Sequence, residues 1–96
     1  MTLYESRPEV SEMMASIGEG MRAIRESGGE PRFVVVGPVA YARLRVAVAE
    51  AFGREEADVE QVQWMTVVVD PSREDRLVVL PVVREVAAGV RVEADS

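Results

Sequence analysis

Apolar residues recur at helical spacing in the first part of the chain. They form one stripe, with charged residues elsewhere on the helix, so the pattern predicts an amphipathic helix. Ser6 followed by Pro8 and Glu9 is typical of a helix start, and Gly28-Gly29 of a helix end. Gly18 and Gly20 weaken the interior of this helix and indicate the close approach of another backbone. The stripe consists of Val10, Met13, Met14, Ile17, Met21 and Ile24.

A second helix follows a short, wholly apolar segment, Phe33–Val36, which is typical of a central strand. Gly37 ends this strand and Pro38 begins the helix. One face of the helix consists of Tyr41, Leu44, Val48 and Phe52, flanked by Ala40, Ala47 and Ala51. Roughly opposite lies a second apolar stripe: Val39, Ala42, Val46 and Ala49. A surface helix usually carries charges there, so we interpret the stripe as a subunit contact; the alternative is that alanine simply favours a helix.

The second half of the chain alternates between apolar segments and turns. Residues 61–64 alternate and 65–69 are almost continuously apolar, which predicts one strand that starts at a rim and enters the core. Asp70-Pro71 predicts a turn, and 76–80 a further buried strand, so that 67–80 forms a hairpin. Residues 82–88 are either a short helix or irregular, ended by Gly89, and 90–95 alternate as a final strand.

The predicted order is α-β-α-β-β-(α)-β. We expect a single α/β domain (an α+β sandwich) over residues 1–96, with a mixed four-stranded sheet and two main helices. Residues 1–5 and 94–96 are expected to be frayed. Of the chain, 48% is apolar and 29% charged, which suits one modest core.

Charge and residue types narrow the function. The net charge is −6, from 17 acidic residues and 11 arginines, and such a surface repels nucleic acid and anionic membranes. The apolar runs are too short to span a bilayer, and the first residues lack the pattern of a signal peptide, so we expect a cytoplasmic protein. Asn is absent along with Lys, His and Cys, which fits either a heat-adapted protein or a GC-rich genome.

No constellation for catalysis, cofactor binding or metal binding stands out. His, Cys and Lys, the usual general base, thiol nucleophile and Schiff-base amine, are missing. Two acidic turns fit no calcium loop and are interpreted as solvated: one with Asp70, Arg73, Glu74 and Asp75, the other with Glu55, Glu56 and Asp58. Trp64 with Tyr41 could stack on a ligand, but we favour a framework role for both residues. An enzyme would need a buried carboxylate pair, which the pattern does not indicate.

Two motifs together resemble a known family of shell proteins. A strand followed by Gly37-Pro38-x-x-Tyr41-x-x-Leu44, and later Pro71-x-x-Glu74-Asp75-x-Leu77-Val78-Val79, is similar to the A-domain of encapsulins and tailed-phage major capsid proteins. The resemblance covers 33–93, and the helix before it suits small encapsulin-like proteins that consist of an A-domain alone. The arm, the peripheral domain and the extended loop of full-length shell proteins do not fit into 96 residues.

The resemblance implies a non-enzymatic, self-assembling structural protein that forms rings or compartment-like assemblies. The partner is then another copy of the chain, together with protein cargo or an operon-encoded enzyme. The loop after Gly53 would lie at the assembly axis, where Arg54, Glu55, Glu56 and Asp58 would line a pore that favours cations. The alternative is a small monomeric or dimeric ligand-binding or regulatory α/β module.

Overall fold

The computed structural model describes residues 2–81 and 91–94, and side chains from Glu5 to Pro81. Its two helices and its longer strands occupy most of the first 81 residues. The elements, in chain order, are β1 (Thr2–Glu5), a 3-10 turn (Val10–Glu12), α1 (Met13–Glu26), β2 (Pro31–Val36), α2 (Pro38–Phe52), β3 (Gln61–Val62), β4 (Met65–Val69), a second 3-10 turn (Pro71–Arg73), β5 (Leu77–Pro81) and β6 (Arg91–Ala94).

The predicted fold class is confirmed: two helices pack with a mixed four-stranded sheet in an α+β domain. The sheet has the order β3-β4-β2-β5, in which β2 runs parallel to β4 and antiparallel to β5. A separate parallel pair is formed by β1 and β6. The prediction that 67–80 forms a hairpin is wrong, because β2 lies between β4 and β5 and takes the backbone hydrogen bonds of both.

The single strand predicted over residues 61–69 is also wrong, because the chain reverses within it. Strands β3 and β4 form a tight antiparallel hairpin, with Gln61 opposite Thr66 and Val62 opposite Met65. Gln63 and Trp64 make the two-residue turn, with φ of 50° and 71°. Positive φ at both positions is characteristic of a type I′ turn, which normally uses Asn and Gly. The sequence therefore carried no recognisable signal for this hairpin.

The core lies between the helices and the sheet. The predicted stripe of α1 is confirmed: Met13, Ile17, Met21 and Ile24 are buried, while Val10 and Met14 are partly buried against the core. The central strand is confirmed as well, since Val34, Val35 and Val36 are all buried. In α2 the inner face is formed by Ala40, Leu44, Ala47 and Val48. Phe52, predicted to share that face, is instead exposed at the end of the helix.

The helical segment begins later than predicted, because the 3-10 turn is capped at Glu9 instead of Ser6 and α1 itself starts only at Met13. The Glu9 N–H donates to Glu12 Oε1 at 3.1 Å, so the 3-10 turn begins after Glu9. Ser6 does not cap the helix; its backbone exchanges two hydrogen bonds with Leu77, of 2.9 and 2.8 Å. Strand β1 occupies residues for which the sequence predicts a frayed end. The predictions for 82–89 lie outside the described residues, and β6 falls within the predicted final strand.

The start of α2 is closed by the turn that precedes β5. The Glu74 carbonyl accepts hydrogen bonds from Val39 N–H at 3.0 Å and Ala40 N–H at 3.2 Å, which satisfies two free amides of the first helical turn. A Cβ at Gly37 would lie 2.0 Å from the Glu74 oxygen, so only glycine fits. Gly37 therefore allows the backbone of Glu74 to contact the first turn of α2 directly.

Candidate functional site

An apolar groove lies where α1, the end of α2 and the β3–β4 hairpin meet. Its volume is about 360 Å³. Buried Val48 and Val62 are among its lining residues, together with half-buried Met14. Phe52 and Trp64 also line it, and Arg54, Gln61 and Gln63 supply the polar part of the lining.

The two aromatic residues of the groove stand in solvent. Trp64 is 93% exposed and Phe52 is 65% exposed. Trp64 owes its position to the hairpin turn, whose tip carries the indole away from the sheet. Phe52 owes its position to Gly53, which ends α2 in the left-handed conformation one residue later. Two large aromatic side chains that cover no core are therefore held beside one groove.

Arg54 supplies the positive charge of the groove. Its guanidinium carbon lies 5.5 Å from the centre of the Phe52 ring, within the range of a cation–π contact. Among residues 5–81, no carboxylate lies within ion-pair distance of Arg54. The groove thus offers aromatic surface, two amide side chains and one guanidinium, a set suited to contact rather than to proton transfer.

The loop that follows α2 exposes the acidic residues assigned to an axis loop. Glu55, Glu56 and Asp58 are all exposed, as is Arg54. Two contacts fasten the loop to α2: Arg45 Nε donates to the Ala57 carbonyl at 3.2 Å, and Val59 N–H donates to the Tyr41 hydroxyl at 3.0 Å. Tyr41 therefore anchors this loop. Tyr41 is not among the residues that line the groove beside Trp64.

The small-residue stripe of α2 lies on the face away from the core. Val39 is 47% exposed and Ala42 is exposed, whereas Val46 and Ala49 are half-buried. Arg43 and Arg45 border the stripe and are bound to Pro8 and Ala57 through their carbonyls. The stripe is thus an apolar surface, and the two arginines beside it bind backbone carbonyls elsewhere in the chain.

The acidic turn before β5 is a structural cluster. Asp70 accepts hydrogen bonds from Ser72 N–H at 3.0 Å and Ser72 Oγ at 2.8 Å, and Arg73 lies 3.2 Å from its other oxygen. The Ser72 hydroxyl, then the Ser72 amide, and the Arg73 guanidinium lower the pKa of Asp70 below its ordinary value. Asp75 pairs with Arg7 at 3.4 Å. These residues hold the turn in shape, in agreement with their interpretation as a solvated turn.

One charged residue between Glu5 and Pro81 is buried, and it is Glu5 itself. Its Oε2 lies 2.7 Å from Arg73 Nη1 and 3.8 Å from Arg76 Nη1. The short contact is an ion pair, although no N–H is aligned with Oε2 for a hydrogen bond. The cluster joins β1 to the turn before β5.

Within the described part of the chain, no group of three or more acidic, His or Cys side chains could hold a metal ion. Over the same residues, no helix is long and apolar enough to cross a membrane. Comparison of the chain with protein-family models, with curated proteins and with solved structures finds no match. The resemblance to encapsulin A-domains therefore still depends on the two sequence motifs.

Proposed function

We propose that this protein is a non-enzymatic, self-associating structural domain, of the kind that the resemblance to encapsulin A-domains suggests. A cytoplasmic location and association with protein cargo or an operon-encoded enzyme are part of this proposal. The observation that carries it is the number of large apolar side chains left in water on a small domain with a closed core. They are Val39, Phe52, Trp64, Val68 and Val69. Phe52 and Trp64 lie together at one groove, and adjoining exposed apolar surface of this kind is typical of a protein contact.

The outer stripe of α2 is the first contact in this proposal. The exposed side chains of Val39 and Ala42 leave apolar area in water in the monomer, whereas an apolar helix face is buried when it meets another chain. Contacts between different faces of successive copies are head-to-tail and close into a ring. The loop over residues 54–60 borders the same helix through Tyr41 and Arg45, so both features would lie on one side of the ring subunit.

Charge placed on the stripe tests this contact. We expect Ala42→Glu and Val46→Glu to reduce an oligomer to the monomer mass of 10.5 kDa with little change in circular dichroism. Ala42 is the sharper position because it is exposed, whereas Val46 is half-buried, so the replacement of Ala42 leaves the core intact. Ala51→Glu adds the same charge to an exposed position of α2 outside the stripe and serves as the matched control. An oligomer mass that neither stripe variant changes would exclude this contact.

The axis loop gives the proposal a second, separable part. If Glu55, Glu56 and Asp58 of several copies surround an axial opening, their repeated negative charge favours cations in it. Images of the wild-type oligomer along its axis decide this point. A ring without an axial opening would exclude the pore while leaving self-association in place.

A small ligand-binding or regulatory module is the second candidate, and the groove favours it. Its volume of about 360 Å³ falls at the small end of the range for ligand sites. A ligand that binds only the folded state raises the melting temperature. A monomeric protein whose melting temperature rises with a metabolite, and no longer rises in Trp64→Ala, would favour this candidate over assembly.

A further inference from the structure

We infer that the groove beside the β3–β4 hairpin is a second self-contact, in which Trp64 of each copy packs against Phe52 of a second copy. This inference rests on the proposed self-association and adds a surface separate from the α2 stripe. It commits the groove to one occupant, another copy of this chain. Three features carry it: the exposed aromatic area, the backbone conformation of Trp64, and the charges around the groove.

The aromatic area is close to what a stable contact requires. An aromatic side chain can bury about 150–250 Å². With Trp64 at 93% and Phe52 at 65% exposure, roughly 300 Å² of aromatic surface lies in water. A standard interface buries about 800 Å² per partner, of which some 450 Å² is apolar. The two aromatic residues would supply most of that apolar area, and the walls of the groove would supply the rest.

The backbone conformation at the hairpin tip is unfavourable for the two residues that occupy it. Gln63 and Trp64 have φ of 50° and 71°, a region that costs an L-residue about 1–2 kcal/mol. Asn-Gly would form the same turn with less strain. Trp64 does not offset this cost in the monomer, because its indole is exposed and buries almost no apolar area. Strain retained for an exposed side chain is a feature of functional sites, where the side chain is used outside the monomer.

The charges around the groove fit a second copy. Arg54 has no carboxylate partner among residues 5–81. In the loop that follows it, Glu55, Asp58 and Glu60 have no arginine partner among the same residues. With respect to residues 5–81, the surface thus carries charges of both signs that form no ion pair. When such a surface meets itself across a two-fold axis, the Arg54 of one copy can face the acidic loop of the other.

The geometry also favours a two-fold contact over a head-to-tail one. The protruding Trp64 and the groove that would receive it belong to the same surface, and a surface that contains both is self-complementary. Together with the α2 stripe, this second contact would link rings or chains of subunits into larger assemblies.

The single tryptophan of the chain reports directly on this contact. We would measure the emission maximum of Trp64 over a wide range of protein concentration, with the native mass measured on the same samples. We expect the emission of a water-exposed indole at low concentration, and a blue shift that follows the rise in mass. Phe52→Ser keeps the reporter and should raise the dissociation constant of this contact at least about 30-fold, as for a central aromatic interface residue.

Two further variants complete the experiment. Ala23→Ser changes an exposed apolar side chain of α1 outside the groove lining and should leave mass and emission unchanged. Gln63→Asn/Trp64→Gly installs the favoured turn residues, and we expect it to raise the melting temperature while weakening association. If the mass rises with concentration while the emission of Trp64 stays that of a water-exposed indole, this inference is overturned and the proposed self-association is not. A monomer at every concentration would overturn both, and would assign the groove to a small molecule or a foreign chain.

Discussion

Two glycines of α1 differ in what lies beside them. A Cβ at Gly20 would lie 2.7 Å from Cγ2 and 2.9 Å from Cβ of Val79, a stiff, buried side chain of β5, whereas a Cβ at Gly18 meets nothing within 4 Å. We therefore expect opposite signs from one substitution. Gly18→Ala should stabilise the fold by about 0.5–1 kcal/mol through helix propensity, and Gly20→Ala should destabilise it by about 1–3 kcal/mol through overpacking.

Urea denaturation of both variants measures these free energies. The sequence suggested the close approach of another backbone at both glycines. The close neighbour at Gly20 is instead the Val79 side chain, and nothing lies within 4 Å of a Cβ at Gly18. Equal stabilisation by both alanines would contradict the packing of β5 on α1.

Asp70 makes stability depend on pH. Because its hydrogen bonds to Ser72 and its contact with Arg73 lower its pKa in the folded state, the carboxylate contributes stability above its ordinary pKa of 3.8. That contribution disappears as the pH falls through the lowered value. We expect Asp70→Asn, which can still accept from Ser72, to melt at a lower temperature than the wild type at pH 7.

The difference should shrink below pH 3.8 and vanish once Asp70 is protonated in the folded wild type. Melting curves between pH 2 and pH 7 check this. Asp58→Asn, in the exposed loop, controls for the loss of one negative charge from an acidic surface. A difference for Asp70→Asn that is the same at every pH would show that the charge of Asp70 is not what stabilises the turn.

Single residues also explain why one turn could be predicted from the sequence and another could not. The Asp70-Pro71 turn was predictable because Asp caps it and Pro fits its next position. The Gln63-Trp64 turn was not, because neither residue favours positive φ and only the finished hairpin imposes it. As a consequence, the exposure of Trp64 could not be foreseen.

Among the elements, β1 is joined to the domain through its last residue. Glu5 is buried against Arg73 and Arg76, so replacing it removes the carboxylate beside Arg76 and leaves Arg73 paired with Asp70 alone. We expect Glu5→Gln to lower the free energy of unfolding by about 1–3 kcal/mol, the range for hydrogen bonds and pairs of charged groups that are partly buried. Hydrogen exchange should show faster exchange in β1 than elsewhere.

Glu9→Gln is the matched control, because Glu9 is exposed and lies 3.9 Å from Arg43. An exposed pair of this kind contributes between about 0 and 1 kcal/mol. If the two variants lose the same stability, the buried cluster does not hold β1.

The elements that the sequence predicted well are those set by local periodicity. The stripe of α1, the wholly apolar β2 and the Pro38 start of α2 each depend on residues within one segment. The order of the strands depends on which strand occupies the centre of the sheet. Strand β2 lies between β4 and β5 and separates two segments that look like a hairpin in the sequence.

At the scale of the whole molecule, some parts of the candidate site could be predicted from single segments of the sequence and others could not. The α2 stripe and the 54–60 loop lie within single segments, and their exposure follows largely from the sequence pattern. The groove could not be predicted, because Met14, Phe52 and Trp64 come from three elements that only the tertiary fold brings together. The interface and pore roles of the stripe and the loop stay predictions.

The molecule as a whole is a small acidic domain with a closed core and apolar surface on α2, on the hairpin and on β4. We propose that self-association accounts for that surface, and this proposal is the central claim. The most direct test is the native mass of the wild-type protein by light scattering on a sizing column, at several concentrations and at elevated temperature. We expect a mass several times 10.5 kDa that rises with concentration before it reaches a plateau. A mass of 10.5 kDa under every condition would contradict the claim.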